Sequence, residues 1–219
     1  MNKDEHKCQW CQDGGMLEHY HDTEWGIPCH SEKLLFEYLM LESMSCGLSW
    51  NLMLQKREIF HACFADFNYK KVAEFTETDI NAAMEYPGMI KSRRKIEAII
   101  SNAKCFMQIQ QEFGSFDKYL WDYSEGKTFI YQRHLDGELT EQREQSQACL
   151  DSAESRRKKN EVQWLTKNDL SDKIAADLKK RGFKFLGSTL IYSYLQSVGI
   201  INDHAPECRM FEKIGGTII

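Results

Sequence analysis

The sequence predicts an all-α protein, and three observations carry that reading. Apolar residues recur at three- and four-residue steps through most of the chain. Residues that cap and stop helices punctuate those runs. No alternation of apolar and polar residues, as a half-buried strand would show, competes over a useful length.

In chain order, Ser31 can cap a helix carrying Leu34, Leu35, Tyr38, Leu39 and Leu41. Leu52, Leu54, Ile59 and Phe60 mark another after Trp50. Thr76 and Asp79 have capping-box spacing and open a short helix that ends before Pro87. A turn at Pro87-Gly88 leads to a helix from near Ser92, with the stripe Ile96, Ile99, Ile100, Ala103 and Met107. Ser171 can cap a helix holding Ile174 and Leu178, with Gly182 just past its end. Ser188 opens the next, which buries Ile191, Tyr194, Leu195 and Val198 and stops at Gly199. Between about 124 and 168 the pattern breaks into a polar stretch that includes Arg156-Arg157-Lys158-Lys159. It reads as a surface insertion pinned by Phe129, Ile130 and Trp164, with residues 139–160 able to form a helix. No internal repeat is present.

The 219 residues, 42% of them hydrophobic, are enough for a single domain over 1–219 made of two closely packed helical lobes. No apolar run is long enough to cross a membrane or to act as a secretion signal, so the expectation is a cytoplasmic monomer. Eight cysteines could form a disulfide framework. Five of them, Cys29, Cys46, Cys63, Cys105 and Cys149, are scattered singly and read instead as small apolar side chains. The net charge of −5 is not that of a tight, nonspecific DNA binder, so any contact with DNA must be local. Lys91, Arg93, Arg94 and Lys95 form one basic group; Lys179, Lys180, Arg181 and Lys184 form a second.

Three constellations carry chemistry. Tyr20-His21-Asp22-Thr23-Glu24-Trp25-Gly26 and Leu41-Glu42-Ser43-Met44-Ser45-Cys46-Gly47-Leu48-Ser49-Trp50 bring aromatic faces near a carboxylate. Aromatic faces grip flat rings, and tryptophan attracts a cation most strongly. The pattern points to a slot for a flat, electron-poor base such as an alkylated purine. The turn at Pro87-Gly88 precedes a helix start whose outward amides could bind a phosphate, although an ordinary helix connection has the same spacing. Cys8, His21, His204 and Cys208 offer two sulfurs and two imidazoles, a donor set for closed tetrahedral zinc, and His204-x-x-x-Cys208 fits one helical turn. The long separation of the two pairs leaves zinc open on spacing alone, and Cys8-x-x-Cys11 makes Cys11 a competing ligand.

Tyr20 to Pro28 and Leu41 to Trp50 resemble the 3-methyladenine DNA glycosylase I family, and Pro87-Gly88-Met89-Ile90, Leu178 to Phe185 and Asn202-Asp203-His204 agree in order. The likeness runs from about Cys8 to Cys208. It implies a helix-hairpin-helix glycosylase fold whose N- and C-terminal segments are joined by structural zinc on Cys8, His21, His204 and Cys208. It implies a base-excision repair hydrolase acting on double-stranded DNA that contains alkylated purines. By resemblance Tyr20 and Trp50 stack on the extruded base, Trp25 and Trp10 support the pocket, and Glu42 contacts the base's polar edge and positive charge. Gly47 and Leu48 match the turn that pushes into the duplex, and Gly88, Lys91, Arg93 and Lys95 the hairpin that holds its backbone.

Ser101-Asn102-Ala103-Lys104 carries no aspartate where other hairpin glycosylases place one, so the implied enzyme is monofunctional, with Glu42 acting electrostatically. Two departures bear on pocket shape: Leu17 where the family often has tyrosine, and Ser43 to Cys46 where it carries glutamine and alanine. The alternative is a noncatalytic, zinc-stapled DNA-binding or adaptor domain on the same fold.

Overall fold

The computed structural model describes residues 6–12, 14–131 and 165–219. Among them the protein is helical apart from one two-stranded ribbon. The first half comprises α1 (Gly15–Thr23), α2 (Glu32–Ser45), α3 (Trp50–Gln55), α4 (Arg57–Cys63), α5 (Tyr69–Ala73) and α6 (Glu77–Glu85). The long α7 (Arg93–Phe113) and α8 (Phe116–Trp121) follow, and the last helices are α9 (Asp169–Lys180), α10 (Ser188–Ser197) and α11 (Arg209–Ile214). The helix expected after Trp50 is two short ones, α3 and α4, meeting at Lys56.

The centre of the fold is α2. Ser31 caps it as expected, accepting from the Leu34 amide. From Leu35 to Ser45 every residue is buried, because apolar residues surround the helix and neighbours cover all of its faces. Helices α3, α7, α8 and α10 pack against it. Long α7 turns Ile96, Ile99, Ile100 and Ala103 of its predicted stripe into the same core, together with Phe106 and Ile109, while Met107, also expected there, is only half-buried.

Two expectations are corrected. Asn168, not Ser171, caps α9; Ser171 is the partner three residues on, and each side chain bonds the other's amide. The fold also contains strands. β1 (Phe129–Ile130) pairs in parallel with β2 (Thr217–Ile218), and Phe129 also bridges to Ile201. Phe129 and Ile130 thus fasten the start of the polar stretch to the C-terminal segment. Two-residue strands are too short to leave an alternating pattern. Trp164, Cys149 and the helix considered for 139–160 lie outside the described residues.

Among the described residues no helix is long and apolar enough to cross a membrane. Their cysteines are all unpaired. Cys29 and Cys105 are buried and Cys63 half-buried, but Cys46 is exposed, contrary to the apolar reading, because it follows the last turn of α2.

Candidate active site

A cleft of about 460 Å³ opens where α1, the end of α2, the start of α3 and one face of α10 meet. That volume lies within the range of small-molecule sites. All seven residues expected to handle the base and open the duplex line it: Trp10, Tyr20, Trp25, Glu42, Gly47, Leu48 and Trp50. Tyr20 is buried, and its hydroxyl donates to Ser197 Oγ at 2.9 Å. Its ring centroid lies 5.5 Å from that of Trp50, the planes 50° apart. Trp50 is the first residue of α3, held there by Ser49, whose side chain accepts from the Leu52 amide. Trp25 is buried, and Trp10 crosses it edge-on at 4.9 Å while remaining 38% exposed at the rim.

Glu42 lies in the last turns of α2 and is 3% exposed. Burial pushes its carboxyl up to about 8, partly opposed by the hydrogen bond from Ser45 Oγ at 3.3 Å. The same hydroxyl lies 2.9 Å from the Glu42 carbonyl. Among the described residues no cationic side chain pairs with Glu42. A buried carboxyl in an apolar setting resists ionisation unless positive charge arrives from outside. Beyond Ser45, α2 gives way to a turn with Gly47 at φ +77° and Leu48 40% exposed.

The sequence reading missed Leu190, Ser193, Gln196 and Ser197, which form the opposite wall on α10, and Asp203 beside them. A signal existed. Ser193, Gln196 and Ser197 are spaced three and four apart, the polar face of a helix whose other face is Ile191, Tyr194 and Leu195. Asp203 accepts from the Tyr192 hydroxyl at 2.5 Å and from Gln196 Nε2 at 2.7 Å. Leu17 does not line the cleft; it packs against the core.

Behind Trp25 lies the sulfur–imidazole cluster. One donor atom each from Cys8, His21, His204 and Cys208 lies within 4.8 Å of the other three, and all four residues are buried. His204 Nδ1 is 3.6 Å from Cys8 Sγ, 3.7 Å from Cys208 Sγ and 3.1 Å from His21 Nε2; Cys208 Sγ is 3.5 Å from His21 Nε2. The outer ring nitrogens face Asp22 Oδ1 at 2.9 Å, for His21, and the Trp25 carbonyl at 3.1 Å, for His204. Hydrogen bonding with Cys8 holds the Cys208 thiol well below its usual range despite burial, helped by both histidines. Gly26, at φ +81°, leaves room for this: a Cβ there would stand 2.8 Å from His204 Nε2. Cys11 does not compete, because its thiol points to the Cys8 carbonyl at 3.1 Å. His204 and Cys208 come from a turn ahead of α11 and not from one helical turn as their spacing had indicated.

Helices α6 and α7 flank the turn at Pro87-Gly88. Gly88 has φ +80°, and a Cβ there would lie 2.8 Å from Ile59 Cδ1. Ser92 makes no side-chain cap, so the first turn of α7 keeps uncapped amides. Lys91 is exposed. Two of the side chains expected to meet phosphate have protein partners instead of standing free. Arg93 bonds Glu77, Glu97 and Asn81. Lys95 donates to the carbonyls of Met44 and Cys46. Both side chains start where acidic residues, or the negative pole of α2, lie nearest. The second basic group is also divided, since Arg181 is held by Asp177 and Glu112.

What such a cleft can do is hold a flat, positively charged ring between aromatic faces and against a carboxylate. A helical protein with that capacity falls in the class of enzymes that act on a nucleobase. A sequence profile for methyladenine glycosylase matches residues 10–157 and 149–212. The chain is 36% identical over 202 residues to DNA-3-methyladenine glycosylase 1 of Escherichia coli (strain K12), covering 92% of this chain and 95% of that protein. It is 32% identical over 206 residues to DNA-3-methyladenine glycosylase of Haemophilus influenzae, covering 92% and 96%. Its fold matches 3-methyladenine DNA glycosylase I from Staphylococcus aureus, solved to explain 3-methyladenine recognition, with a TM-score of 0.75 and 32% identity over 93% of this chain and 95% of that one. The chain belongs to the methyladenine glycosylase family.

Proposed function

We propose that the chain is a DNA repair glycosylase that takes N3-methylated adenine out of DNA and hydrolyses its N-glycosidic bond, leaving an abasic site. The observation that carries this reading is Glu42, a carboxyl buried in an aromatic cleft with, among the described residues, only a serine hydroxyl bonded to it. Methylation at N3 makes adenine a cation and a good leaving group. The cation favours the ionised form of Glu42, and Tyr20 and Trp50 supply faces on which it can stack. Interactions that strengthen as the bond breaks then do most of the catalysis. Among the described residues no lysine lines the cleft, which supports a monofunctional hydrolase that forms no Schiff base.

The base must leave the stack to reach this cleft. Leu48, exposed on the turn at the cleft's edge, is the residue to fill the gap. The α6–α7 turn is read as a helix-hairpin-helix contact to the backbone of double-stranded DNA. Lys91 and the uncapped amides of α7 supply the attraction, without sequence preference.

The sulfur–imidazole cluster is read as a structural zinc site. At ordinary zinc bond lengths a tetrahedron puts sulfur and nitrogen about 3.6 Å apart, and two nitrogens about 3.3 Å. Four of the six separations, at 3.5–3.7 Å and 3.1 Å, agree. The outer contacts to Asp22 and the Trp25 carbonyl turn one nitrogen of each histidine inward. With four protein ligands the ion would do no chemistry on substrate. It would staple the N-terminal segment and α1 to the C-terminal segment, behind Trp25.

Incubation with methylated duplex DNA is expected to release free 3-methyladenine. Tight binding of that DNA with no release would instead favour the noncatalytic alternative. Metal analysis is expected to find one zinc per chain, lost in Cys208→Ser; metal-free protein that keeps full thermal stability would remove the zinc reading.

A further inference from the structure

We propose that Lys95 is a positioning residue that ties the DNA-anchoring hairpin to the turn that enters the duplex. The grip on the DNA backbone would thereby set where Leu48 and Glu42 stand. This rests on the glycosylase reading.

Lys95 lies in the first turn of α7 and is half-buried. Its ammonium crosses to the end of α2, donating to the Met44 carbonyl at 2.8 Å and to the Cys46 carbonyl at 2.7 Å. Carbonyls at a helix C-terminus lack intrahelical partners and carry the negative pole of the dipole, so a cation suits them. Between the two acceptors sits Ser45. Its hydroxyl bonds Glu42, and its carbonyl accepts from the Leu48 amide at 2.6 Å, closing the Gly47–Leu48 turn. Little else confines that turn, since nothing lies within 4 Å of where a Gly47 Cβ would be. One ammonium thus brackets the residue that touches both the buried carboxyl and the wedge.

The hairpin is also fastened on the far side of the wedge. Lys56, at the end of α3, donates to the Gly88 carbonyl in the hairpin turn. Two lysines therefore link anchor and wedge, one from before Gly47-Leu48 and one from beyond it. A lysine held this way adds little to phosphate binding. Its loss should disturb placement, where a displacement near 1 Å can cost about a hundredfold in rate.

The test compares Lys95→Met, which keeps the aliphatic stem, with Lys95→Arg and with Lys91→Ala. Lys95→Met is expected to lower kcat for base release from methylated duplex by about 10- to 100-fold, leaving KM and the salt dependence of duplex binding unchanged. On methylated single strands, where no stack is opened, the loss should be less than about threefold. Lys95→Arg should restore most of the duplex rate. Lys91→Ala should reduce the salt slope by about one. If Lys95→Met lowers the salt slope by about one and keeps kcat, the residue is a phosphate ligand and the proposal fails. Equal losses on duplex and single strand also overturn it.

Amide exchange at Leu48 in the free protein gives a readout independent of activity. It should accelerate by about tenfold or more in Lys95→Met but not in Lys91→Ala, and an unchanged rate overturns the link. If wild-type protein releases no base, the glycosylase reading falls while the exchange measurement still decides the link. Should Lys95→Met not fold, Lys95→Gln takes its place in every arm.

Discussion

Glu37 and Glu42 leave the same buried helix, yet the fold treats them in opposite ways. Both are nearly inaccessible, at 1% and 3% exposure. Five residues apart, they point about 140° from one another around α2. Glu37 meets a cation: Arg57 Nε donates to it at 2.7 Å, and His61 Nε2 lies 3.2 Å away. The same guanidinium also holds Glu24, whose carboxylate accepts from the Tyr38 hydroxyl. Among the described residues Glu42 has only the Ser45 hydroxyl, and it opens into the cleft. The first site is closed on itself and serves stability. In the second, on the proposed function, the missing positive charge is left for a ligand to bring.

That contrast can be broken from either end. Replacing Arg57 with methionine strands Glu37 and Glu24 and should cost about 3 kcal/mol of stability, since an orphaned buried charge is far costlier than a missing pair. Urea denaturation measures it, and a loss under about 1 kcal/mol would mean the network is not what holds α2 to α4.

Glu42→Gln should act the other way. Base release should fall by about a hundredfold while the protein becomes more stable. The sign follows from linkage. A carboxyl raised from 4.5 to about 8 by folding carries its full stabilising contribution below 4.5 and loses it as pH climbs toward 8. Wild type should therefore lose stability relative to Glu42→Gln between pH 5 and 8, by a few kcal/mol at most, which thermal melts across that window would show. For the same reason kcat/KM on a cationic lesion should rise with pH up to about 8 in wild type and stay flat in Glu42→Gln. A wild-type profile flat over this range would separate Glu42 from the charge it is read to meet.

Ser45→Ala sharpens the comparison with the smallest effect. It removes the one hydrogen bond that favours the ionised carboxylate, worth about 1 kcal/mol. The midpoint of the pH–activity profile should move upward by a fraction of a unit, with a modest loss of activity at neutral pH. A downward shift would show that the hydroxyl favours the protonated acid instead.

The residues that line the cleft were largely legible because they sit in two short segments that resemble the family's motifs. Trp50 follows its own cap, Ser49, and Tyr20 stands one residue before His21. What was misread concerns partners. Arg93 and Lys95 looked like a basic patch, yet carboxylates on α6 and α7 hold one and α2 carbonyls the other. The α10 wall was overlooked because small polar residues on a helix read as solvated surface until another element closes over them.

By itself the sequence determined most of the helices, the caps at Ser31 and Thr76 and the aromatic set, while the choice of Cys8 over Cys11 among the sulfur and imidazole donors rested on resemblance until the fold gathered them. Periodicity, capping and composition are local and survive in the linear order of residues. The tertiary structure alone decided that Glu42 is buried without a counter-charge while Glu37 has one, that Lys95 reaches α2, and that Phe129 and Ile130 meet the C-terminal strand. Burial and pairing depend on which distant segments arrive at a residue, and the ionisation of a carboxyl or the use of an ammonium follows from that arrival.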